Sequence, residues 1–263
     1  MAELFHRKIE RTAIGFVLAI IAAASVGGIV EIVPLFTIDE TVEDVPDMRL
    51  YTPLELAGRD IYVREGCYAC HSQMVRTLVD EVDRYGPYSL AVESQYDHPM
   101  QWGSKRTGPD LARVGGKYSD IWHVAHLINP RQVTPESNMP AYPWLMETEL
   151  DVYELAGRLN AQRMVGVPYT QEMVENAATD AIAQADPESS FGTGLAARYG
   201  EETQVSLFDG VTGTVTEMDA LVAYLQILGL LTNAAYEQSP DMQEAPDVAG
   251  EDASQLISPS VEE

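Results

Sequence analysis

The sequence predicts a mainly α protein, with a single transmembrane helix at the N-terminus followed by an all-α domain with long loops. Three observations carry this. An uncharged run, "TAIGFVLAIIAAASVGGIV", extends from Thr12 to Val30. Beyond it, apolar residues such as Leu54, Ala57, Ile61 and Tyr62 recur three and four apart, the spacing of one helical face. Between the helical segments lie stretches dense in glycine and proline, notably residues 75–120 and the loop "NPRQVTPESNMPAYPWL", which read as loop.

The uncharged run is 19 residues long; as a helix it measures about 28 Å, close to the ~30 Å hydrocarbon thickness of a bilayer. It exceeds the apolar region of a cleaved signal peptide, and its one Ala-x-Ala-like site, Ala22–Ala24, falls inside the run, so a retained anchor is expected. Arg7, Lys8 and Arg11 precede the span, whereas Glu31, Asp39, Glu40, Glu43, Asp44 and Asp47 follow it. The positive-inside rule then predicts a cytoplasmic N-terminus, with everything after about Phe36 on the far side. Gly15, Ala19, Ala23 and Gly27 form a stripe of small residues along which a neighbouring helix can approach.

The chain divides into a stub and anchor (1–36), an acidic linker (37–52), a folded domain (53–231) and an acidic tail (232–263) whose composition predicts disorder. Thr52-Pro53 has the form of an N-cap and first helical residue. Further helices are predicted over 120–128, limited by Pro130, and over about 147–163, 170–184 and 217–231; the polar, glycine-rich residues 186–215 read as a hairpin or surface excursion. The net charge of −25, from 41 carboxylates against 16 lysines and arginines, excludes nucleic acid as a partner. It favours a basic protein partner by steering.

The only two cysteines stand in "REGCYACHSQM", as Cys67 and Cys70, with His71 directly after. Two cysteines cannot staple a domain of this size, so they act as a local site. A structural zinc needs four ligands, and no second cysteine pair exists. A thioredoxin-like couple needs a βαβ surrounding, whereas this one is helical and loop-rich. The remaining use is covalent attachment of one haem c. Cysteines at i and i+3 share a helical face and reach its two vinyl groups, and the adjacent histidine reaches the iron. For the second axial ligand Met139 stands out, because Pro135, Pro140 and Pro143 stiffen its loop. Met100, His98, His123 and His126 remain alternatives on position alone. Met146, Met164 and Met218 lie on predicted helices and read as packing.

The stretches "GCYACHSQMVRTL", "HPMQWGSKRTGPDLARVGGKYSDIWHVAHLINPR" and "ESNMPAYPWL" closely resemble the monohaem cytochrome c subunit (subunit II) of cbb3-type, or C-type haem–copper, cytochrome c oxidases. With the anchor, "GVPYT" and "EMDALVAYLQILG", the resemblance covers nearly everything to about residue 231. It implies a cytochrome c-like haem domain whose first and last helices cross. Cys67 and Cys70 would carry the thioethers, with His71 and Met139 as axial ligands. Gly108-Pro109 would be the pair whose proline carbonyl accepts a hydrogen bond from the histidine ligand.

The resemblance also implies an inner-membrane, single-pass protein in contact with membrane lipid, with a periplasmic haem domain. It would be an electron-transfer subunit, with oxygen reduced on another chain. Its partners would be the catalytic haem–copper subunit, a di- or trihaem cytochrome c subunit and a soluble cytochrome c donor. The cytochrome c subunit of a nitric oxide reductase and a free membrane-anchored shuttle are the alternatives. Lys105, Arg106, Arg113 and Lys117 read either as cations for haem propionates or a partner subunit, or as a solvated basic patch. His123 and His126 are expected to hydrogen-bond within the protein or at a subunit surface rather than hold a metal.

Overall fold

The computed structural model describes residues 6–8, 10–35, 45 and 48–233 and divides into two units, Met1–Asp44 and Val45–Glu263. Most of the expected acidic linker and all but the first residues of the expected tail lie outside the described residues. The first unit is the helix α1, Ala13–Leu35. Its Ala13–Pro34 stretch has a mean hydropathy of 2.5 and is long and apolar enough to cross a membrane.

Among its described residues the second unit is built of helices joined by long loops. Its helices are α2 (Pro53–Arg64), α3 (Val79–Tyr85), α4 (Asp120–Ile128), α5 (Pro130–Val133), α6 (Trp144–Glu147), α7 (Leu155–Met164), α8 (Gln171–Glu175), α9 (Ala177–Ala185), α10 (Gly192–Tyr199) and α11 (Glu217–Ile227). Among the described residues the only β pairing is an isolated antiparallel bridge between Glu149 and Thr216.

The core is built on α2 and α11, and both start on a capping box. Thr52 Oγ1 accepts from Glu55 N at 3.2 Å while Glu55 returns a carboxylate to Thr52 N at 2.9 Å; Thr216 and Asp219 repeat the exchange on α11. Two otherwise orphaned donors are satisfied at each helix start. The buried face of α2 carries Leu54, Ala57, Ile61 and Tyr62, and that of α11 carries Met218, Leu221, Val222, Tyr224 and Leu225. Each large apolar side chain so buried contributes about 1.5–3 kcal/mol. The helices approach so closely that a Cβ on Gly58 would lie 1.8 Å from the Ala220 carbonyl oxygen. Only a residue without a side chain permits this crossing. Tyr224 completes it, its ring 5.9 Å from Tyr51 and 5.6 Å from Tyr62, and Arg64 Nη1 donates to Glu217 at 2.6 Å where α2 ends.

Several expectations need correcting. The helix expected from 147 begins only at Leu155, because residues 148–150 pair with 215–217: Leu150 N donates to Val215 O and Glu217 N to Thr148 O, both at 2.9 Å. The expected 170–184 helix is broken at Asn176 (φ −97°, ψ 4°) into α8 and α9. Residues 186–215 form no hairpin; they hold α10 and send Leu195, Tyr199 and Phe208 into the core. Arg198 anchors α10 by donating to Asp180 on α9 at 2.9 Å. Met164 does not pack; it is 88% exposed. Met218 is fully buried, as expected.

Gly58→Ala should destabilise the protein by about 2–3 kcal/mol through overpacking against Ala220. Gly157→Ala on α7, whose Cβ would meet nothing within 4 Å, should be neutral or stabilising by up to about 1 kcal/mol. Urea denaturation of both variants checks the contrast.

A pH effect follows from the start of α11. Burial, with repulsion from Asp209, pushes the Asp219 carboxyl from 3.8 up to about 6. Between these values the native state holds a proton that the unfolded chain has released, so this stabilisation is lost as pH rises from about 4 to about 6. Asp209→Asn removes the repelling charge and should flatten that part of the stability–pH curve, read from denaturation midpoints at pH 4, 5 and 7.

Candidate functional site

Beyond α2 the chain turns through a short 3₁₀ segment, Cys67–Ala69. Cys70 N and His71 N both donate to the Cys67 carbonyl, at 3.1 and 2.9 Å. This turn presents Cys67, half-buried, and Cys70, exposed, with His71 immediately after. Burial, with a smaller contribution from Glu65, pushes the Cys67 thiol up to about 12. A thiol held neutral is poorly suited to thiolate redox chemistry.

His71 is held from a distant segment. Its Nδ1 lies 2.8 Å from the Pro109 carbonyl; a carbonyl only accepts, so Nδ1 carries the proton and Nε2 keeps its lone pair. Burial lowers the pKa of the ring, more than the Pro109 bond raises it, so the imidazole stays neutral. Gly108 makes the approach possible: a Cβ there would stand 2.2 Å from His71 Cε1. The Gly108–Pro109 pair therefore has the contact geometry expected of it.

The segment carrying Pro109 is stitched to the segment carrying His71. Gly108 N donates to Cys70 O at 3.1 Å and Leu111 N to Ser72 O at 2.9 Å. Between them Asp110 accepts from Ser72 Oγ at 2.6 Å, Met74 N at 2.9 Å and Ala112 N at 2.8 Å. Arg106 donates to Ser72 Oγ and to Glu81, both at 2.8 Å. Sequence reasoning missed Asp110 as the post of this clamp. The one local signal was an aspartate directly after Gly-Pro, and its partner Ser72 lies 38 residues away.

Met139 arrives on the loop after α4 and α5. Its N–H donates to Ser137 Oγ at 3.2 Å, and Tyr142 N returns the loop to Leu127 O, the end of α4, at 2.7 Å. Met139 packs half-buried against the core. A cavity of about 720 Å³ gathers Cys67, Cys70, His71, Gly108, Pro109 and Met139 in its lining. His123 and His126 line it as well, whereas His98 and Met100 do not.

Of the expected basic cluster, Lys105 and Lys117 are exposed, Arg106 is half-buried and Arg113 is buried. Arg113 donates to Glu93 and to the carbonyl of Pro87; Arg106 belongs to the clamp. Of the four, Arg113 and Lys117 line the cavity, joined by Arg84, which the sequence did not single out. His123 Nε2 and His126 Nδ1 are buried with no hydrogen-bond partner among the described residues. Burial, with repulsion from His126, pushes the His123 ring down to about 4. Burial also lowers His126.

A family described as cytochrome c oxidase, mono-heme subunit/FixO matches residues 6–232. The chain belongs to this family. It is therefore a component of a cytochrome c oxidase complex with one haem, and α1 fits a single-pass membrane protein. No curated protein matches the chain. The cavity suits a haem by its own chemistry. It offers a neutral imidazole with a lone pair, a thioether, two cysteines on one turn and a glycine where any side chain would displace the imidazole. Two residues of its wall, His123 and His126, each hold a buried ring nitrogen without a partner among the described residues.

Gly108→Ala should displace the His71 ring from Pro109. The amount of haem-loaded subunit should fall, and oxidase activity should drop about ten-fold, as for other losses of a metal ligand's supporting bond. Absorption spectra and oxygen uptake of membranes carrying the variant check this.

Proposed function

We propose that this subunit relays single electrons within a cbb3-type oxidase, from a soluble cytochrome c or a di- or trihaem subunit to the catalytic haem–copper subunit. The observation that carries the proposal is the meeting of Cys67, Cys70, His71 and Met139 around one cavity, with His71 fixed on Pro109. Cys67 and Cys70 would each add sulfur and hydrogen across one vinyl group, a step without net oxidation, leaving the macrocycle covalently attached. His71 Nε2 and the Met139 sulfur would be the axial pair. A haem c so held supplies a reversible one-electron iron couple.

The residues of the chain account for the rest. Pro109 keeps the His71 proton on Nδ1, so the nitrogen offered to iron is always a lone pair. A methionine opposite a histidine favours the ferrous state and sets a higher potential than two histidines. If His71 and Met139 both hold the iron, this chain would offer oxygen no binding position, and oxygen reduction would fall to another chain of the complex. The net charge of −25 would steer a basic donor to this chain, where it does not simply serve solubility or high salt. In this reading α1 anchors the subunit in the inner membrane with the haem domain on the periplasmic face.

Met139→Ala should lower the reduction potential and alter the ferric spectrum, measured by redox titration of the purified subunit. A wild-type spectrum would place the distal ligand elsewhere. Cys67→Ser with Cys70→Ser should abolish haem staining of the denatured chain. Purification in mild detergent without a co-purifying polytopic oxidase subunit would sink the relay reading.

A further inference from the structure

Helix α11 forms one long wall of the haem cavity, with Leu221 and Leu225 in the lining. At its start Glu217 receives Arg64, three residues before Cys67. Its other end meets a different segment. Gly116 N donates to Gln226 Oε1 at 3.0 Å, and a Cβ on Gly115 would stand 2.4 Å from the Gln226 carbonyl oxygen. From Glu217 to Gln226 the helix rises about 13 Å. The cysteine turn and residues 113–117 therefore lie at opposite ends of this wall.

The segment from Arg84 to Gly86 joins the second end. A Cβ on Gly86 would lie 3.6 Å from Arg113 Cγ, and one on Gly229, just past α11, would lie 3.1 Å from Arg113 Nη1. Arg84, Arg113 and Lys117 all line the cavity. Their charges are used differently. Arg113 is committed to Glu93 and to the carbonyls of Pro87 and Tyr88. Arg84 and Lys117, both exposed at the cavity rim, have no ion pair and no side-chain hydrogen bond among the described residues; Arg84 only lies over the Tyr85 ring, 5.2 Å from its centroid. Carboxylates outnumber lysines and arginines 41 to 16 in this chain, and Arg49, Arg59, Arg64, Arg76, Arg106 and Arg198 each hold one. Lys105, Arg131 and Arg163 also lack an ion pair, but none of them lines the cavity.

A haem carries its two vinyl groups on one edge and its two propionates on the opposite edge. Tethered by its vinyls to Cys67 and Cys70, it extends the propionates along α11 toward residues 113–117. Two carboxylates brought there require counter-charge. The hydroxyls, amides and indole of the lining can donate hydrogen bonds but carry no charge, and burial favours the neutral forms of His71, His123 and His126. We propose that Arg84 and Lys117 are the counter-charges of the haem propionates and position the edge of the macrocycle remote from the cysteines. This rests on the reading of Cys67 and Cys70 as the attachment points.

The test uses the full-length, haem-loaded chain purified in detergent. Its readouts are the propionate bending band in the resonance Raman spectrum and a redox titration. In Arg84→Gln and in Lys117→Gln the band should shift. At the wild-type midpoint the ferrous-to-ferric ratio should fall about three-fold in each, as for one unit charge removed from a partly screened position roughly 10 Å from the iron. Arg84→Lys keeps the charge and should restore most of the ratio while the band stays shifted, because an ammonium cannot repeat the guanidinium fork. Lys105→Gln, at a cation outside the cavity, should leave the band in place.

An unchanged band in either glutamine variant overturns the assignment of that residue, and in both it overturns the proposal. So does a fall in the ratio with no change of band, which would make the two residues distant charges. A band shifted equally by Lys105→Gln also overturns it. If Arg84→Gln fails to accumulate, Arg84→Lys carries its Raman test. Failure of the denatured wild-type chain to stain for haem removes the attachment reading itself. A stained chain whose band ignores both substitutions overturns this inference alone.

Discussion

Where α2 crosses α11, Gly58 stands so near the Ala220 carbonyl that a methyl group has no room, and the place of the cysteines follows from that contact. Helix α2 ends three residues before Cys67, and Arg64 pins that end to Glu217 at the start of α11. The capping boxes fix where each helix begins. The position of Cys67 is thus a property of helix packing. A slip of α2 along α11 would break the Gly58 contact and carry the cysteine turn with it.

The second constraint is electrostatic. In a chain with few cations, several arginines are spent inside: Arg59 on Asp97 at 2.7 Å, Arg106 on Glu81 and Arg113 on Glu93. Buried pairs of this kind add little net stability, but removing one partner costs about 3–5 kcal/mol, because the other charge is left uncompensated. Their effect is specificity of loop placement. Arg106 and Arg113 hold loops around the cavity.

Features written in a few consecutive residues were legible in advance. The membrane-length helix, the Thr52-Pro53 start of α2, the 120–128 helix and the Cys-x-x-Cys-His turn all depend on neighbours within one or two helical turns. What stayed hidden depends on partners far along the chain. Residues 148–150 became extended because 215–217 pair with them. Helix α10 was concealed by its glycines and alanines, and only its docking on α9 accounts for it. Position alone put Met139 first, with Met100 or a histidine next; the cavity gathers Met139, His123 and His126 and leaves out Met100 and His98. Gly58 carries no local mark of its role and Asp110 only its place after Gly-Pro, since both are defined by what another segment places against them.

The Asp110 clamp has a further consequence. It sets the tilt of the His71 ring through backbone bonds on both sides of the imidazole, and Tyr62 adds a contact to the His71 carbonyl at 3.4 Å. A side chain secured in this way has little left to rearrange when the charge beside it changes by one. In the proposed relay, an imidazole held this firmly by a hydrogen-bonded aspartate would keep the inner-sphere reorganisation energy of electron transfer low.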